Sequence, residues 1–529
     1  LPASFEYAVR KSMMGTQTDS MQAESIWLKL RSRWLTFIQQ QQWREALVAL
    51  ALFAAFFVAM AWVQFSTPDM PDNDGFYHIR LAQIMRVQGW KPEFPWLPLT
   101  ILNPREFYDH HFLFHVELIP FTFGDLRLGA KWAAVFNASL AFLAVWWLLR
   151  GQRVPYAWLW SLGLLAVSEA FLYRMSITRA QSLSLGVLAL GLHWMLKERY
   201  HYLLALGFLY VWLYNAFPLL GAIATLYTLA VLLIERRLEL RPVIYTAIGT
   251  VLGLLVNPYF PNNLVFAYRH MLPKLTETTE ISVGSEWYPY TTRQLLENSS
   301  LSLVAFLSGA LALGLRGRRM DTRTAAGLLL ATLFGFMLFQ SRRFIEYFPA
   351  FALIFAAFAW TPLMREAALL WRSRWSWFPY LPAMALGVLV IIGAWQMLPI
   401  ARDRVQDSKP YHLYAQASAW LQQNTQKGER IFQTDWDDFP RLFFYNIDNT
   451  YLIGLDPTYM QLYDPALYDQ WVRITQGEVE DPSASIVADF GARYVISDLL
   501  HDDFIDLASQ DPDMVEVYRD DQAVIFMVR

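Results

Sequence analysis

Apolar residues fill the chain from Ala46 to Val63 without interruption, close to the ~20 residues that carry a helix across a bilayer core. Further runs lie at Trp132–Leu149, Tyr156–Tyr173, Ser182–Leu196, Leu203–Tyr214, Pro218–Ile234, Val243–Val256, Leu301–Leu315, Ala325–Phe339, Phe348–Trp360 and Leu381–Leu398. Together they predict about eleven spanning helices, several of them short. Between Asp69 and Asp125 the chain is too polar for a simple turn, and Leu81–Val87 predicts a short helix lying in the interface. After Leu398 the pattern becomes that of a small α/β module. It predicts helices at Tyr411–Gln423 and Pro465–Thr475, and strands at Arg430–Thr434, Tyr451–Gly454, Tyr494–Ser497, Val515–Tyr518 and Ala523–Val528.

No small-residue cleavage pattern follows Val63, so the first run reads as an uncleaved signal anchor. Residues 1–45, with Trp27, Trp34 and several Lys and Arg, read as a cytoplasmic amphipathic lead-in, within which Met13, Met14 and Met21 are candidate start positions. Residues 46–400 then form the membrane domain and 401–529 an extracytoplasmic domain. Basic residues recur in alternate loops, at Arg150 and Arg153, Lys197 and Arg199, Arg236, Arg237 and Arg241, Arg316 to Arg323, and Arg365 to Arg374. That excess marks the cytoplasmic side and places the C-terminal module outside. Every unusual polar constellation falls in the opposite set of loops. There Arg174, Arg179, Arg342 and Arg343 run against the inside rule, and binding an anionic group is the simplest reason for them.

The chain has 529 residues, 55% hydrophobic and 17% charged, which is too apolar for an ordinary soluble protein. It contains no Cys, so disulfides and thiolate metal sites are excluded. The net charge of −3 offers nothing to a nucleic acid.

The first apolar run empties into Asp72-Asn73-Asp74-Gly75-Phe76-Tyr77-His78-Ile79-Arg80. Carboxylates within a turn of a bilayer edge are costly to desolvate and stay because something positive meets them. The pair alone reads as a solvated turn at a helix end, but the aromatics and Arg80 that follow point to a cation, because carboxylate oxygens are hard ligands for Mg²⁺ or Mn²⁺. Glu286, in Ser282-Val283-Gly284-Ser285-Glu286, can be carried over a site by its small-residue loop. Arg342 and Arg343 open an apolar span and can hold a lipid phosphate or snorkel to the interface. Trp436-Asp437-Asp438 follows a predicted strand, where it is a structural turn or a binding loop. His110 and His111 read as interfacial, and Glu169 with Arg174 as a simple pair. No Walker loop, dinucleotide glycine pattern, nucleophile elbow or HExxH occurs in a suitable context.

Taken together, Asp72 to Arg80 resembles the first acidic motif of the GT-C membrane glycosyltransferases, most closely that of oligosaccharyltransferase catalytic subunits. Ser282–Glu286 looks like the family's flexible-loop motif ending in a metal-binding Glu, and Thr434-Asp435-Trp436-Asp437-Asp438-Phe439 like a degenerate WWDYG. The resemblance implies a polytopic α-helical GT-C domain of about 11 to 13 spans followed by a small periplasmic α/β domain. It implies inverting transfer of a sugar or oligosaccharide from a polyprenyl-phosphate or pyrophosphate carrier to a protein or surface-glycan acceptor, at the outer face of a bacterial inner membrane. Asp74, Asp72 and Glu286 would be the catalytic and metal-binding acids for Mg²⁺ or Mn²⁺. Arg342, Arg343, Arg179 and Arg80 would bind donor phosphate, and Trp436, Asp437 and Asp438 the acceptor. Two departures stand out. The second acidic pair is replaced by Arg179-Ala180-Gln181, which leaves metal coordination less complete, and the altered C-terminal motif leaves asparagine as acceptor unsupported. The competing readings are a transporter or flippase of lipid-linked glycans and a catalytically silent scaffold of the same fold.

Overall fold

The computed structural model describes residues 42–271, 284–317, 320–371 and 380–529. The lead-in with Trp27 and Trp34, most of the loop motif around Ser282, and Arg318, Arg319, Arg372 and Arg374 lie outside the described residues. Contacts divide the chain into two compact units, Leu1–Ala55 and Phe56–Arg529.

Among the described residues, seven helices are long and apolar enough to cross a membrane: Gln42–Gln64, Leu126–Gly151, Pro218–Glu235, Thr292–Leu315, Thr322–Gln340, Phe348–Leu369 and Leu381–Gln406. Three more expected spans are shorter helices, Gln181–Leu196, Tyr202–Leu213 and Arg241–Leu255. Helix ends follow capping chemistry more closely than hydropathy. The run expected from Leu301 begins at Thr292, because Thr291 and Gln294 form a reciprocal capping box there. Asp321 likewise caps the next helix, accepting from Thr324 N at 3.0 Å.

The expected span Tyr156–Tyr173 is broken. It divides into Ala157–Leu162, a 3₁₀ turn at Gly163–Leu165, and a separate helix Glu169–Ser176. Ser168 starts the new helix by accepting from Phe171 N at 3.0 Å while donating to Asn298 O at 2.6 Å. This break re-aims the chain and sends Arg174 and Arg179 toward the polar loops instead of continuing into apolar surroundings.

The predicted interfacial helix is longer than expected, Asp74–Gln88. It packs against the C-terminal module, whose sheet has the order β2-β1-β3-β5-β4. The strands are β1 (Arg430–Gln433), β2 (Thr450–Tyr451), β3 (Tyr494–Asp498), β4 (Met514–Arg519) and β5 (Ala523–Val528). β1 pairs in parallel with β2 and β3, and β5 runs antiparallel between β3 and β4. The helix Phe439–Tyr445 after β1 packs on Asp74–Gln88 through Tyr77, Phe94, Trp96, Phe439 and Phe443. Main-chain bonds seal the contact, Tyr451 N to Trp96 O at 2.8 Å and Ile101 N to Tyr459 O at 3.1 Å. An aromatic core of this kind buries large apolar areas, and it holds the loop after β1 directly against Asp72–Asp74.

Candidate active site

A cavity of about 640 Å³ lies where the acid- and arginine-bearing loops meet the C-terminal module. Asp72 and Asp74 reach it from the start of helix Asp74–Gln88, where a carboxylate in the first turn also complements the helix dipole. Asn73 between them is a clip. Its Nδ2 donates to Asp437 Oδ2 at 2.7 Å, and its Oδ1 accepts from Arg441 Nε at 2.7 Å. Arg441 is itself buried and lies 4.4 Å from the Phe76 ring centroid. Trp436 and Asp437 therefore line the cavity opposite Asp72 and Asp74.

The centre of the site is a charge cluster drawn from four segments. Arg179 meets Asp72 Oδ2 through Nε at 2.6 Å, Asp74 Oδ2 through Nη2 at 2.6 Å, and Glu286 Oε2 through Nη1 at 3.1 Å. Arg174 donates to Glu286 at 2.8 Å and, through Nε, to Glu346 at 2.9 Å. Arg343 donates to Glu286 Oε1 at 3.0 Å and to Tyr214 Oη at 2.6 Å, and its guanidinium stacks 4.8 Å from the Trp287 ring. Burial would raise the Glu286 carboxyl, but Arg343, Arg174 and Arg179 together hold it well below the usual range. Burial pushes Asp74 up to about 6 against the pull of Arg179, with Asp72 and Glu286 adding repulsion. Asp437 is pushed up to about 7 by burial and by the negative charges of Asp74, Asp72 and Asp435.

Of the residues singled out in the sequence, Asp72, Asp74, Arg179, Glu286, Arg343, Trp436 and Asp437 share this cavity. Three others do not line it. Arg80 donates to Gln83 at 2.6 Å; six residues beyond Asp74, it falls on another face of the helix. Arg342 clasps the loop backbone at Tyr288 O, through its main-chain N at 3.0 Å, and at Pro289 O at 3.2 Å. Consecutive residues of a 3₁₀ turn diverge, so only Arg343 of the pair enters. Asp438 is buried beneath the loop, where burial and the acids Asp435 and Asp498 push its carboxyl well up. Glu169 pairs with Arg404 at 3.2 Å and not with Arg174.

The sequence reading missed a histidine chain. His115 Nδ1 lies 2.7 Å from Asp109 Oδ2, and His115 Nε2 lies 2.7 Å from His78 Nδ1. A carboxylate only accepts, so His115 carries a proton on Nδ1, and in the neutral ring its Nε2 is the acceptor. With His115 in that form, His78 donates through Nδ1 and Nε2 is its basic nitrogen. Burial, with His115, Arg179 and His110 nearby, holds His78 well below the ordinary histidine value, so it is neutral. His78 lines the cavity, one helical turn from Asp74 and on the same face. That i,i+4 spacing was the one available signal. His110 and His111, expected at the interface, also line the cavity, as do Tyr214, Glu346 and Asp435.

A divalent metal fits this set poorly. Among the described residues no three His, Asp or Glu side chains are grouped to hold one, and the three acids expected to do so each meet Arg179.

The raised acids make stability depend on pH. In the folded chain Asp74 and Asp437 keep protons to about 6 and about 7, beyond the unfolded carboxylate value near ~3.9. The folded state therefore binds more protons across that window, and its stability falls as pH rises through it. Asp437→Asn keeps an acceptor for Asn73 and removes the repulsion. We expect it to raise the thermal midpoint in detergent at pH 8 and to have little effect at pH 4; equal shifts at both would contradict the linkage.

No family model matches the chain, and no curated protein is similar to it in sequence. Among solved structures, the archaeal oligosaccharyltransferase AglB from Archaeoglobus fulgidus, in complex with an inhibitory peptide and a dolichol-phosphate, is 13% identical with a TM-score of 0.63, over 88% of this chain and 71% of that one. An Archaeoglobus fulgidus oligosaccharyltransferase in complex with Zn and sulfate is 14% identical with a TM-score of 0.57, over 87% and 70%. ArnT from Cupriavidus metallidurans, bound to undecaprenyl phosphate, is 17% identical with a TM-score of 0.55, over 90% and 97%. At these identities the likeness is one of fold.

Proposed function

We propose that this multi-pass membrane chain, which has the GT-C glycosyltransferase fold, transfers a sugar or oligosaccharide from a polyprenyl-phosphate or pyrophosphate carrier to an acceptor at the outer face of the membrane. The observation that carries the reading is the meeting of Asp72 and Asp74, Arg174 and Arg179, Glu286, Arg343 and the Trp436–Asp437 loop in one cavity. The solved structures of this fold that hold dolichol-phosphate and undecaprenyl phosphate support a lipid-borne donor.

In this reading the acceptor atom attacks the anomeric carbon as the bond from that carbon to the phosphate oxygen breaks, and the configuration inverts. The electron pair leaves with the phosphate, and Arg343, held in orientation by Glu286 and Tyr214, neutralises the developing charge. The acceptor's proton passes to His78 Nε2. Asp74 remains paired with Arg179 and orients the acceptor beside the Trp436–Asp437 loop. The acidic lining from Asp435, Asp437 and Asp456 favours a hydroxyl-rich or cationic acceptor over an anionic one.

The test is transfer from a radiolabelled polyprenyl-phosphate sugar by the purified full chain in liposomes, guided by glycan profiles of envelopes with and without the protein. Asp74→Ala is expected to reach the membrane and lose transfer. An unchanged envelope glycan profile, or a variant that transfers normally, would rule the reading out and favour a scaffold.

A further inference from the structure

We infer that the Arg179 guanidinium is the resident cation of this cavity, standing among the three acids expected from the sequence to hold a divalent metal, and that the site binds no such ion. Each of its three nitrogens meets a different carboxylate: Nε meets Asp72, Nη2 meets Asp74 and Nη1 meets Glu286, at 2.6, 2.6 and 3.1 Å. These are the acids that a metal would need, and a metal could take them only by displacing the guanidinium from all three.

The local chain holds Arg179 in this place. Thr178 is buried and donates through Oγ1 to Ala130 O at 2.9 Å, which fastens the loop to helix Leu126–Gly151. Gln181, the neutral residue two positions on, turns inward to donate to Arg174 O at 2.9 Å. The charge balance agrees. Arg174, Arg179 and Arg343 face Asp72, Asp74, Glu286 and Glu346, so the cluster carries about one net negative charge, where a divalent ion calls for more. Glu286 is also engaged on its other side by Arg174 and Arg343. A guanidinium presents fixed, planar donors and never loses its proton in the working range, so it can orient the acids as a cation would without exchanging with solvent.

The inference concerns the ion and not the reaction, so its test does not depend on transfer activity. Mn²⁺ alone is titrated into the purified full chain and followed by its EPR signal. The wild-type chain should leave the free-ion signal undiminished, and Arg179→Ala, which frees Asp72 and Asp74 while Glu286 keeps Arg174 and Arg343, should diminish it measurably, with the gain lost again in Arg179→Ala/Asp74→Asn. Stoichiometric Mn²⁺ binding by the wild type that Asp74→Asn abolishes would overturn the inference, as would a folded Arg179→Ala chain with no gain. Should Arg179→Ala fail to fold, the wild-type and Asp74→Asn titrations decide alone. If transfer is measurable, it should persist in EDTA. A chain that binds no Mn²⁺ and transfers nothing would sink the transferase reading and leave this one standing.

Discussion

Replacing His78 with Asn is expected to lower glycosyl transfer by about 10²–10⁴-fold, the range general-base catalysis contributes, while binding of the lipid-linked donor stays unchanged. Asn keeps a polar group of similar reach but cannot take a proton. The sharper variant is Asp109→Asn, which lies outside the cavity lining and changes almost no volume. An amide nitrogen at that position can donate to His115 Nδ1 and so move the proton of His115 to Nε2. His78 Nδ1 would then accept, and His78 Nε2 would carry the hydrogen that disqualifies it as a base. The two 2.7 Å contacts transmit this choice. Asp109→Asn should therefore lose nearly as much activity as His78→Asn with an unchanged thermal midpoint, and ¹⁵N spectra of labelled histidine should show the tautomer exchanged. Full activity in Asp109→Asn would leave the histidine chain as packing.

The largest loss of stability is expected at Glu286→Ala. This carboxylate meets Arg174 at 2.8 Å, Arg343 at 3.0 Å and Arg179 at 3.1 Å, and removing it takes from Arg343 the carboxylate it pairs with and leaves it beside two further guanidiniums, which keep Glu346, Asp72 and Asp74. Breaking a buried ion pair by removing one partner costs about 3–5 kcal/mol; the Glu286 side chain is 24% exposed, which places the expectation at about 3 kcal/mol by the same rule, reduced for partial screening. Glu286→Gln keeps the shape and two hydrogen-bond acceptors' worth of contact at one oxygen, so it should lose less. Thermal unfolding in detergent, with high salt as a second condition, separates the two: salt anions that enter the cavity should recover part of the Glu286→Ala loss. A midpoint within a degree of wild type would show that the three arginines do not depend on this acid.

Much of the architecture could be read from local pattern. The apolar runs located the long helices, since the cost of burying main-chain and side-chain polarity in hydrocarbon acts residue by residue. The alternation after Leu398 located the strands Arg430–Gln433, Tyr494–Asp498 and Ala523–Val528 to within a residue or two. Asp72, Asp74, Glu286 and the 342–343 pair stood out because charged residues are rare beside such runs. The broken span was not legible, because Ser168 caps a helix only where its hydroxyl can also reach Asn298, which is remote in sequence.

The amino-acid order alone determined that this is a multi-pass helical membrane chain with a sheet module at its end, and which polar loops could hold chemistry. Tertiary structure decided what those loops do. It chose Arg343 over Arg342, turned Arg80 and Asp438 away, set Arg179 among the acids, and joined Asp109, His115 and His78 into one hydrogen-bonded line. The reason is physical: hydropathy and helix or strand period act over neighbouring residues, whereas the partner of a buried charge is set by whichever distant segment packing brings within hydrogen-bond reach, as Glu286 is brought to Arg179 across 107 positions of chain.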